Sequence, residues 1–162
     1  GYVEYRFPTH LMKSGQTQEV SFSFEICSEA PGYQNEWPSD ITVWVNGLEA
    51  ATMTLPGDFG GRRGRLNPEW WGDTMTQYGM YKSIRINSLG CYEDDIKCSD
   101  LSLEALQLEK RNYISFKLGV KPDAQHVGGM NLFGEKFGDY AQGLVMKVKV
   151  ADGGSQQEVG TE

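Results

Sequence analysis

Strict two-residue alternation closed by an Asn-Gly turn constrains this chain most. Ile41, Val43 and Val45 alternate with Thr42 and Trp44, Asn46-Gly47 follows at once, and Leu48 to Leu55 returns. Asn-Gly supplies the positive φ values of a type I′ turn, so the segment predicts a β-hairpin with one buried face. Val20, Phe22, Phe24 and Ile26 repeat the pattern against Ser21, Ser23 and Glu25. Further one-sided strands are expected from Tyr2, around Ile84 and Ile86 to Asn87, along Ile114, Phe116, Leu118 and Val120, and along Leu144, Met146, Val148 and Val150. Tyr92 to Cys98 reads as a short hairpin about Asp94-Asp95, and Ser99 to Glu109 as a single helical turn. About eight short strands with one-sided burial predict an all-β fold, two antiparallel sheets packed as a sandwich or jelly roll.

The 162 residues suit one core. The expected organisation is one sandwich over 1–151 and a flexible tail over 152–162, where the sequence turns small and polar. The chain starts at Gly1 without an initiator Met and enters a strand at once, which predicts a piece of a longer protein. A net charge of −7 argues against a domain that itself grips nucleic acid. No run of about 18 apolar residues and no basic-then-apolar leader is present, so neither membrane nor secretion is expected. Cys27, Cys91 and Cys98 lack zinc-ligand spacing and fit reduced thiols in a cytoplasm; a Cys91–Cys98 bridge is the alternative.

Three connections exceed the usual length of about two to six residues: 28–39, 56–78 and 121–142. They hold many aromatic residues, which are costly to leave in water and therefore predict ordered loops. If strands alternate in direction, the Asn46-Gly47 turn sits at one end of the sandwich and loops 28–39 and 56–78 at the other. The third loop is expected to join them there.

The longest of these, PGDFGGRRGRLNPEWW, puts Arg62, Arg63 and Arg65 among four glycines, before Trp70-Trp71. Guanidinium forks suit carboxylate, phosphate or ring faces, so the loop reads as a site for an anion or a polyol. The competing reading is that the arginines pair with acids of the same loops. Adjacent tryptophans are expected to point apart, one plugging the sandwich and one open as a stacking platform. Trp37 and Tyr78 add flat walls, and Tyr33, Asn35, Asp58, His126 and Asn131 add polar groups that would orient a ligand. No cofactor or metal motif occurs. Asp58-Phe59-Gly60 copies a kinase triplet without its partner motifs, and GGRRGR lacks the low-complexity setting of an RNA-binding box. Glu29 and Glu36 beside aromatics raise a glycosidase reading, but no spacing fixes a carboxylate pair.

The phrases CSEAPGYQNEWPSDITVWVNG, PGDFGGRRGRLNPEWW, TQYG and GVKPDAQHVGGMNLFGEKFGDY resemble the C-terminal domain of bacterial transcriptional regulators that carry an ArsR-like winged-helix head. The likeness runs from about Val20 to Val150 and implies a ligand-sensing β domain, with DNA contacted only through a head absent from this chain. It supplies neither a ligand nor catalytic residues. The expected function is thus non-enzymatic binding of a small polar molecule, a sugar or sugar phosphate, with a homodimer compatible. A structural or dimerising module without ligand is the alternative, and a glycoside-active enzyme the third.

Overall fold

The computed structural model describes residues 1–12, 16–151 and 156–160. Two antiparallel sheets pack face to face as a β-sandwich. One sheet orders β1 (Tyr2–Pro8), β8 (Tyr113–Gly119), β3 (Ser39–Val45) and β4 (Leu48–Leu55) as β1-β8-β3-β4. The other contains β2 (Thr17–Cys27), β5 (Met80–Asn87), β6 (Gly90–Glu93), β7 (Ile96–Ser99), β10 (Val145–Val150) and β11 (Gln156–Gly160), ordered β11-β10-β2-β5-β6-β7. A two-residue β9 (Asn131–Leu132) pairs with the end of β2. No described helix is long and apolar enough to cross a membrane.

The alternating residues fill the space between the sheets. Val20, Phe22, Phe24 and Ile26 of β2 meet Ile114, Phe116 and Leu118 of β8, all fully buried. Phe22 stacks on Phe116 with centroids 4.3 Å apart, and Phe7 and Phe24 pack obliquely against this pair at 6.0 and 5.6 Å. Such offset contacts add to the hydrophobic gain of burial.

Asn46 and Gly47 have φ of 51° and 78°, as a type I′ turn needs. The Asp94-Asp95 turn is built the same way, with φ of 47° and 70°. The expected single helical turn is two 3-10 turns, Glu104–Leu106 and Leu108–Lys110. Leu103, Leu106 and Leu108 are buried there, and the Asn46 side chain donates to the Leu106 carbonyl at 2.9 Å, so this segment closes the turn end of the sandwich. The tail corrects expectation in part. Gln156–Gly160 pairs with Val145–Lys149 and extends the sheet, because backbone pairing on an open edge needs little from polar side chains; the rest of 152–162 lies outside the described residues. Cys27, Cys91 and Cys98 are free, and the Cys98 thiol donates to the Cys91 carbonyl at 3.4 Å.

Candidate functional site

All three long loops gather at the end opposite Asn46-Gly47, and backbone bonds knit them together. Ser28 N–H donates to the Gly57 carbonyl (3.1 Å), Trp37 N–H to Pro56 (2.9 Å), Asp58 N–H to Gln34 (2.8 Å) and Glu29 N–H to Gly128 (2.9 Å). Asp40 N–H reaches the His126 carbonyl at 2.9 Å. Strand parity thus places the first two loops correctly, and the third joins them as expected.

Beneath this cap lies a residue that alternation alone marks as an ordinary outward position. Glu25 of β2 is fully buried because the 133–144 segment folds over that face of the sheet. Its carboxylate accepts N–H bonds from Gly79 (2.8 Å), Asp139 (3.0 Å) and Tyr140 (3.1 Å). Burial raises its pKa above the ordinary glutamate value, outweighing the lowering by those bonds. Asp139 in turn accepts both arms of Arg62, at 2.9 and 2.5 Å, and the backbone N–H of Arg65 at 3.1 Å. The Arg62 guanidinium also lies 3.7 Å from the Tyr78 ring centroid, and Tyr78 stacks on Phe59.

The second arginine is engaged as well. Arg63 donates to the Trp71 and Pro68 carbonyls and to Asp73, at 3.0, 2.5 and 2.9 Å. Gln77, buried, ties the loop to itself: its amide donates to Gly72 and Met75 carbonyls and its oxygen accepts from Gly64 N–H and Asn67. Asn67 also accepts the Gly138 N–H at 2.7 Å, a further tie between loops 56–78 and 121–142.

Several expected ligand groups are therefore parts of the cap. Asp58 is fully buried and accepts the Ala30 N–H at 2.9 Å and the Cys27 thiol at 3.9 Å. Burial and this neighbouring carboxylate raise the Cys27 pKa, so the thiol stays protonated. Asn35 accepts the Gly60 N–H at 3.2 Å, and the Tyr33 ring lies against Gly60. His126 sits beside Asp40, with Nδ1 3.2 Å from a carboxylate oxygen that also accepts the His126 N–H. Trp37 rests near Gly128 and accepts the Ser28 hydroxyl on its carbonyl. Arg65 is exposed, and among the described residues its guanidinium has no hydrogen-bond partner.

A cleft of about 530 Å³ opens in the cap. Loop 28–39 contributes Glu29, Ala30 and Gly32; loop 56–78 contributes Trp71, Thr74, Met75 and Thr76; the third contributes Asn131, Leu132, Phe133, Gly134 and Phe137. The two tryptophans point apart, but neither plugs the sandwich. Trp71 lines the cleft with its indole N–H fixed on the Thr76 carbonyl at 2.8 Å, whereas Trp70 is 74% exposed. Both rings stand edge-on to Phe137. Asn131 donates to the Thr76 hydroxyl at 3.0 Å. Of the twelve expected site residues only Trp71 and Asn131 line this cleft; Glu29, Met75, Phe133 and Phe137 join them without having been singled out as ligand groups. A smaller hollow of about 290 Å³ lies beside Tyr33, Gly61, Arg62, Arg63, Asp73 and Gln77. No group of metal-ligating side chains occurs among the described residues.

The Arg62–Asp139 ion pair bridges two loops with a nearly buried partner, the Asp139 side chain being 9% exposed and that of Arg62 48%. Solvent screening at the arginine limits its worth, so Arg62→Ala is expected to cost about 1–2 kcal/mol, ring contact included. Arg62 and the other donors hold the Asp139 pKa below its ordinary value. A depressed folded pKa gives stability above the unfolded pKa that is lost as pH falls. Urea titrations should accordingly show the Arg62→Ala penalty present at neutral pH and shrinking as pH drops below about 4, the ordinary aspartate range; a penalty independent of pH would contradict this account.

No family model, curated protein or solved structure matches the chain. The site must be read from its own chemistry.

Proposed function

We propose that this chain is a non-enzymatic small-molecule-binding domain whose ligand occupies the cleft formed by the three loops. The carrying observation is the convergence of 28–39, 56–78 and 121–142 on one opening of about 530 Å³, with its walls fixed by internal hydrogen bonds. That volume falls within the range of ligand pockets, about 300–1,000 Å³, and preformed, mainly apolar walls with a few polar groups are what such pockets use. The cleft's lining holds one carboxylate, Glu29, where glycoside hydrolysis uses two, and Glu36 is not part of it. A regulatory role behind a winged-helix head rests on the resemblance of the loop phrases alone. A sugar phosphate fits less well than a neutral sugar, because no arginine lines the cleft and Arg62 and Arg63 already face Asp139 and Asp73.

The engagement of Arg62 and Arg63 within the loops favours a second reading, a purely structural cap. A thermal-shift screen with sugars, amines, organic acids and sugar phosphates separates the two. A ligand specific to the folded state, present at a hundred times its Kd, stabilises by about 2.7 kcal/mol, which raises the Tm by roughly 5–11 °C for a domain of this size. The rise should vanish in Thr74→Trp, which sets an indole in the mouth of the cleft. A flat response across the panel would leave the structural cap.

A further inference from the structure

Resting on that reading of the cleft, we infer its ligand class: an organic cation, an amine or small ammonium group carried on a flat apolar body. Charge makes the first part of the case. Glu29 is the single ionisable side chain lining the cleft, with no Lys, Arg or His beside it. Among the described residues its carboxylate has neither a hydrogen-bond nor an ion-pair partner, unlike Glu25, Asp58 and Asp139 in the same cap. The side chain is folded against the third loop, its Cβ 3.1 Å and Oε2 3.5 Å from where a Cβ on Gly129 would stand. An anion entering here would meet an uncompensated carboxylate; an ammonium would pair with it, and such charge-assisted bonds strengthen as water is displaced.

Hydrogen-bonding capacity gives the same answer. The Trp71 indole N–H is committed to the Thr76 carbonyl, and Asn131 directs its NH₂ to the Thr76 hydroxyl. What remains for a head group is the Glu29 carboxylate, an acceptor only, and the Thr74 and Thr76 hydroxyls, which can accept as well as donate, so a donor-rich head group can be satisfied here. The walls decide the body. Trp71 and Phe137 meet edge to face, with centroids 4.9 Å apart at 64°, and Phe133 and Met75 extend the apolar surface. Ring faces attract cations as well as flat hydrocarbon, and a thioether adapts to a ring edge. A protein net charge of −7 also favours approach of cations.

The probes are phenethylamine, 2-phenylethanol and phenylacetate, which share a ring and differ in head-group charge. Each is titrated into isotopically labelled protein while the Trp71 indole and Asn131 amide resonances are followed. The amine should bind roughly tenfold tighter than the alcohol or better, with phenylacetate weakest, as hydrogen bonds to a charged group exceed neutral ones by about that factor. Glu29→Gln, at an exposed side chain, should erase the amine's advantage while leaving the alcohol's affinity in place. Equal affinity for amine and alcohol, preference for phenylacetate, or an amine affinity unchanged in Glu29→Gln overturns the cation assignment but leaves a ligand cleft standing. Silence of all three at millimolar concentration also overturns it. The cleft reading itself then falls only with a flat response to the broader thermal-shift panel.

Discussion

Glu25→Ala should lower the stability of the domain by about 3 kcal/mol, seen as a Tm drop of roughly 6–12 °C. The substitution removes one carboxylate and strands the N–H groups of Gly79, Asp139 and Tyr140, each of which has it as acceptor beneath the cap. An orphaned buried donor costs about 1–3 kcal/mol. Three of them would exceed the expected total, but the alanine also relieves the cost of holding a carboxylate in a dry site, the same cost that raises the Glu25 pKa. The loss should be local in its first stage. Hydrogen exchange at 137–142 should accelerate before that of β2 or β5, because the segment loses its anchor while the Phe22–Phe116 stack is untouched.

The same residue gives a pH signature of definite sign. A folded pKa raised above the unfolded one means that the folded state holds the proton more tightly, so stability is greatest below the unfolded pKa and declines as pH rises through the folded value. Glu25→Gln cannot titrate. The stability of wild type minus that of Glu25→Gln should therefore be highest near pH 4 and fall as pH climbs above the ordinary glutamate range. A difference that rose with pH, wild type gaining on the variant, would mean that the three N–H bonds outweigh burial.

Glu25 also shows where sequence reading stops. Phe22, Phe24 and Ile26 are correctly read as core, since alternation needs only one buried face. The opposite face of β2 is covered too, by a loop more than a hundred residues away, and Ser23 and Glu25 keep their polar identity because that loop brings N–H donors to them. The available signal was the third loop's own content: Phe133, Phe137 and Tyr140 need a surface to pack on. Parity carried the loops to the right end because it depends only on strand direction. It could not tell Trp71 from Trp70, or reveal that Arg62 turns inward to Asp139, since both depend on how a side chain two or three residues along an irregular loop is aimed. β9 escaped notice for the related reason that two residues hold no period.

Gly64→Ala should be strongly damaging in loop 56–78, at about 3 kcal/mol or more, and it should remove ligand response along with stability. A Cβ at this position would stand 1.9 Å from the Gln77 backbone oxygen and 2.7 Å from the Asn67 amide nitrogen, so backbone has to move. Overpacking costs about 1–3 kcal/mol where neighbours can give. Here the neighbours are the knot itself: Gly64 N–H donates to Gln77, Gln77 fixes the Gly72 and Met75 carbonyls, and Asn67 grips Gly138. Displacing Gln77 shifts the wall that presents Trp71, Met75 and Thr76 to the cleft, and at the same time loosens the tie to the third loop. Gly72→Ala is the control. Its Cβ would meet only the Met75 side chain at 3.6 Å, ordinary contact, so its stability should stay within about 0.5 kcal/mol of wild type. Urea denaturation and the thermal-shift response together test the coupling. If Gly64→Ala lost stability but retained full ligand response, the glycine-rich segment would brace the sandwich without shaping the cleft, and the arginines beside it would be fasteners of the cap alone.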